Sequence, residues 1–71
     1  MNKNEGKSVY LKVEEAKLIE KVGSNPIYWL ESSNKFYVGL ENLFIDGVEV
    51  ENSVELSTLE LAKEFVNKLP Q

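Results

Sequence analysis

Cysteine, histidine and arginine are all missing from the 71 residues. Without cysteine no disulfide staples the fold, and no thiolate is on hand to bind metal or attack a substrate. Without histidine the common triad chemistry loses its base, and zinc loses its usual ligands. Without arginine the eight cations are all lysines set against twelve acids, for a net charge of -4. Phosphate contacts and guanine readout rest on clustered Lys and Arg, so direct nucleic-acid binding is not expected. Gly6, Gly23, Gly39 and Gly47 are dispersed and form no phosphate-cradling loop. No apolar run approaches the roughly 20 residues of a membrane-spanning helix, and the polar start at residues 1–7 leads into no signal-type stretch. The sequence therefore predicts no cofactor, no membrane contact and no enzyme. The missing cysteines fit a reducing compartment, which makes the cytoplasm the expected location.

What remains is enough for one domain. A chain this short buries only about 60% of the surface its unfolded form exposes, so tight packing or self-association is needed to hold it together. Residues 1–7 carry nothing to bury and are expected to be a disordered tail, with a single α+β domain over 8–71. Val9, Leu11 and Val13 alternate with Tyr10, Lys12 and Glu14, the period of a half-buried strand. From 15 to 22 the pattern fits a helical turn or a strand. Strand is preferred because Gly23-Ser24-Asn25-Pro26 reads as a turn that sends the chain back antiparallel. Ile27-Tyr28-Trp29-Leu30 and Phe36-Tyr37-Val38 then form a hairpin. Asp46-Gly47 between apolar neighbours signals a tight turn with positive φ. The expected sheet is antiparallel, with three to four strands over about 8–22, 27–31, 36–40 and, as an optional fourth, 44–51.

One amphipathic helix is expected over 57–69, packed on one face of that sheet. Ser57-Thr58-Leu59-Glu60 matches a capping box, with Leu56 and Leu61 spaced as a hydrophobic staple. Leu59, Leu61, Ala62, Phe65, Val66 and Leu69 fall in one arc at 100° steps, with Glu60, Lys63, Glu64, Asn67 and Lys68 opposite. Glu64 precedes Lys68 by four residues, a favourable pairing, and Pro70 ends the helix.

One helix covers one face. If Ile27, Trp29, Phe36 and Val38 pack under it, Tyr28, Leu30 and Tyr37 point to the other side as an apolar patch, the candidate interface. Twofold homodimerisation covers such a patch economically. The competing reading folds the first strand and the Phe44 segment over it in a monomer. The Ile27-Tyr28-Trp29-Leu30 hairpin followed by the Ser57-Thr58-Leu59-Glu60 helix resembles the YopT-like family of small uncharacterised Bacillus prophage proteins. That resemblance implies three strands and one helix, a homodimer and no assigned activity; the Asp46-Gly47 hairpin departs from it in strand count.

The serines sit where turns and caps want them. Glu41, Asp46, Glu49 and Glu51 match no calcium loop, and metal ligation is not expected. A small enzyme working through Glu or Asp would require a concave site with a carboxylate of strongly raised pKa, and two other functions follow from these residues. The first is an intracellular homodimeric protein-interaction module, in the manner of a phage or prophage accessory protein that binds a host or phage protein. The alternative is an acidic nucleic-acid mimic that occupies a basic DNA- or RNA-binding protein.

Overall fold

The computed structural model describes residues 6–70. Five strands and one helix follow in chain order: β1 (Lys7–Lys12), a 3-10 turn (Val13–Glu15), β2 (Lys17–Val22), β3 (Asn25–Leu30), β4 (Lys35–Ile45), β5 (Val48–Leu56) and α1 (Leu59–Lys68). The class is the expected one, a small α+β fold with a C-terminal helix on an antiparallel sheet, but the sheet has five strands rather than three to four. Residues 1–5 of the expected tail lie outside the described residues, and Lys7 already belongs to β1.

The extra strand comes from a division within 8–22. The 3-10 turn breaks this stretch in two, and the halves go to opposite edges of the sheet, whose order is β1-β5-β4-β3-β2. β1 pairs with β5, and β2 pairs with β3. A flat sheet would hold these edges ~19 Å apart, four interstrand spacings. The link from Lys12 to Lys17 reaches at most ~18 Å when fully extended, and its 3-10 turn shortens that to roughly 13 Å. Lys12 also stands level with Leu43 through Val50, whereas Lys17 stands level with Phe36 through Trp29, which adds a displacement along the strands. The sheet must therefore coil until its edges come within reach of the link. Register shifts at Leu18/Glu20 and Gly39/Glu41 supply local bends of the kind bulges produce.

The optional hairpin over 44–51 proves to be the longest in the molecule. Asp46 (φ 53°) and Gly47 (φ 79°) both adopt the left-handed region, as a two-residue turn of this kind requires, and β4 and β5 pair from Ile45↔Val48 down to Phe36↔Leu56. Alternation then sorts the side chains. Ile27, Val38, Val54 and Leu56 are buried with Ala62 and Val66 of α1, and Phe36, Leu59, Leu61 and Phe65 pack around them.

The helix lies where its periodicity places it, with one shift at its start. Thr58, not Ser57, is the N-cap: its hydroxyl accepts from the Leu61 amide at 3.1 Å. Glu60 consequently stands one position too early to close a capping box and serves instead as first-turn negative charge. Leu69 caps the other end, its amide donating to Val66 O at 3.1 Å. No Glu64–Lys68 bridge forms; the ion pair of α1 runs from Lys63 to Glu20 of β2, at 3.4 Å.

Candidate functional site: a notch beside the open half of β4

β4 is eleven residues long, but β3 accompanies only its first part. The β3–β4 ladder runs from Leu30↔Lys35 to Ile27↔Val38, and the Asn25 side chain closes it by donating to Gly39 O at 2.9 Å. Beyond that point Leu40 is the extra residue of the register shift, and residues 41–45 pair with β5 on one side and with no described strand on the other. The sheet thus has a third free edge inside its order, and a notch where β3 stops.

Leu18, Lys21, Pro26, Tyr28, Leu40 and Asn42 surround a cavity of about 370 Å3 at this notch, with Gly39 and Glu51 also lining it. Glu51 is only 4% exposed. Its carboxylate stands where a side chain on Gly39 would be: a Cβ there would lie 2.5 Å from Glu51 Oε2 and 2.8 Å from Pro26 Cγ. Gly39 is needed for close approach, since its φ is not in the left-handed region. Asn42 Nδ2 donates to Glu51 Oε1 at 3.2 Å and to Glu49 Oε2 at 2.9 Å. Burial, then the Glu51 and Glu49 charges, raise the Tyr28 phenol above its ordinary value.

The sequence-predicted trio does share the face away from α1, because Tyr28 pairs with Tyr37 and Leu30 follows two positions on. Its members differ in access. Tyr28 and Leu30 are half-buried, whereas Tyr37 is 2% exposed. The Tyr37 hydroxyl donates to Glu55 Oε2 at 2.8 Å and shares a 2.8 Å hydrogen bond with Ser33. Burial is the main reason the Tyr37 phenol is raised, with Glu55 adding to it and Ser33 opposing. Leu11, Glu51 and Ser53 are also buried, and the Ser53 hydroxyl donates to Val9 O at 3.0 Å.

The large exposed apolar side chains of β4 are instead Leu40 (43%), Phe44 (70%) and Ile45 (46%), all on the half that β3 leaves open. Sequence reasoning placed none of these in the candidate interface, named Phe44 only in the competing monomer reading, weighed Glu51 only against a calcium loop, and singled out neither Gly39 nor Asn42 for a site. A lone glycine inside a strand pattern does signal close approach of another group, so Gly39 carried the available hint. Among the described residues no three His, Cys, Asp or Glu side chains are placed to hold a metal ion, and no helix is long and apolar enough to cross a membrane. The chain matches no protein-family model, no curated protein and no solved structure.

Proposed function

We propose that the protein is a protein-interaction module that pairs with a second copy of itself through the open half of β4. The observation that carries this reading is the contrast among the three free edges. β1 is bracketed by Lys7 and Lys12, and β2 combines Lys17, Glu20 and Lys21 with a bulge. Charges and bulges of this kind blunt an edge against further pairing. Residues 40–45, Leu-Glu-Asn-Leu-Phe-Ile, carry one charge, Glu41, and the three exposed apolar groups described above. An unpaired apolar edge is a template for strand addition. Antiparallel pairing of a strand with its own copy is twofold symmetric, so one patch serves both partners. Burying the apolar groups also supplies the reinforcement that a 71-residue chain without disulfides needs.

Light scattering coupled to gel filtration tests the proposal. The expected mass is about twice the 8.1 kDa of the chain. Phe44→Lys together with Ile45→Lys should return it to the single-chain value with the circular dichroism of the fold unchanged. A wild-type chain that stays monomeric at several hundred micromolar overturns the reading.

A further inference from the structure

We infer that the notch is a binding site for a primary ammonium group on a short alkyl stem, with the Glu51 carboxylate as its counter-ion. The described residues leave the Glu51 carboxylate without a cation of its own. Buried carboxylates are ordinarily paired with a cation, because taking the charge out of water is costly. Glu51 is 96% removed from solvent by the 4% exposure that remains, yet the ion pair found among the described residues joins Lys63 to Glu20 and does not involve it. Lys21 lines the same cavity without coming within ion-pair distance of Glu51.

The two oxygens of Glu51 are not equivalent. Oε1 accepts from Asn42, and Oε2 receives no hydrogen bond from a described residue. No fully buried side-chain oxygen or nitrogen among the described residues lacks a partner, so Oε2 is open to the cavity rather than sealed off from it. It lies against the backbone of Gly39, where the absent Cβ admits the carboxylate and the Pro26 ring borders the same space. A carboxylate oxygen that faces the cavity without a donor of its own favours a donor that carries charge.

The surroundings define the rest of the ligand. Leu18, Pro26, Tyr28 and Leu40 make an apolar wall suited to a methylene stem, and Tyr28 offers an aromatic ring beside the place the cation would occupy. Glu49, tied to Glu51 through Asn42, adds negative potential, and Glu41 stands on the rim. A cavity of about 370 Å3 lies at the small end of ligand pockets, in keeping with one alkyl chain. An ammonium on such a stem occurs in free alkyl diamines and in lysine side chains, and the cavity chemistry serves both.

The test uses the full chain, with two-dimensional NMR of the backbone amides read against added n-butylammonium, and n-butanol as the uncharged probe of equal length. Saturable shifts are expected at Tyr28, Gly39, Asn42 and Glu51, with n-butanol at least tenfold weaker. Glu51→Gln should weaken n-butylammonium at least tenfold while leaving thermal unfolding close to wild type. Nα-acetyl-lysine methylamide and 1,4-diaminobutane then separate the sources: tighter binding of the capped lysine identifies a protein side chain as the ligand, and tighter binding of the diamine identifies a free amine. The inference is overturned if n-butanol shifts the same amides over the same concentrations, or if no shift saturates. That comparison is made on the wild-type chain and stands even if Glu51→Gln fails to fold. Leu40, Glu41 and Asn42 belong to both the notch and the β4 edge, so the titration is repeated on the Phe44→Lys, Ile45→Lys chain: saturable shifts there uphold this site whatever the wild-type mass, their absence there overturns it, and the mass alone decides the edge.

Discussion

Replacing Gly39 by alanine adds one methyl group at the most crowded point of the notch. In an ordinary strand the change would help, because glycine there is less favourable than alanine by roughly 0.5–1 kcal/mol. Gly39 has no left-handed φ to protect, so backbone strain does not enter. Space decides the sign. The new Cβ would lie 2.5 Å from Glu51 Oε2 and 2.8 Å from both Glu51 Cδ and Pro26 Cγ. The carboxylate can swing away, but the Pro26 ring is held in β3 and cannot yield as cheaply. Overpacking of this kind costs about 1–3 kcal/mol, which exceeds the propensity gain and leaves a net destabilisation of about 1 kcal/mol. For a domain of this size that lowers the melting temperature by about 4–8 °C. Thermal and urea unfolding of the two proteins measure it. A double-mutant cycle with Glu51→Ala should recover about half of the loss, since the Pro26 contact remains. If Gly39→Ala is as stable as wild type or more so, the close approach of Glu51 and Pro26 to Gly39 is wrong, and the notch loses its floor.

Three further outcomes follow from named contacts. Thr58→Ala removes the oxygen that accepts from the Leu61 amide and should cost about 1 kcal/mol in urea unfolding, whereas Ser57→Ala, one residue outside the cap, should stay within about 0.5 kcal/mol. Tyr37→Phe deletes the hydroxyl shared by Glu55 and Ser33 and should cost about 1–2 kcal/mol near neutral pH. Because the Tyr28 and Tyr37 phenols are raised by burial, the folded chain holds their protons at a pH where the unfolded chain releases them. Their contribution is complete below about pH 10 and is lost as pH climbs through the folded values, so the urea midpoint should fall on the alkaline side, less steeply in Tyr37→Phe; an equal slope in both proteins would contradict this.

Local chemistry was legible where one segment decides its own shape. Asp46-Gly47 announces its turn because both central residues need positive φ, and the helix announces itself because its six apolar positions recur on one arc. Its N-cap was misplaced by one because Ser57 and Thr58 both carry a capping hydroxyl, and sequence does not show which adopts the cap position. Long-range pairing was not legible. β1 and β2 have similar alternating patterns, and nothing in either says that one joins β5 and the other β3 across a coiled sheet. The second half of β5 was hidden by Glu51, Asn52 and Ser53, three successive polar residues that break the apolar alternation after Val50. Two of these are buried for reasons that lie elsewhere in the chain: Glu51 over Gly39, and Ser53 bonded to Val9. The notch shares this origin, since it exists only because β4 outruns β3.

The central claim is that the open half of β4 is a pairing edge, and the mass of the protein in solution tests it most directly. Light scattering at micromolar to several hundred micromolar concentration should report about twice 8.1 kDa for the wild-type chain, and the single-chain mass for Phe44→Lys with Ile45→Lys. A monomer throughout, or a dimer that both lysines leave intact, would contradict the account.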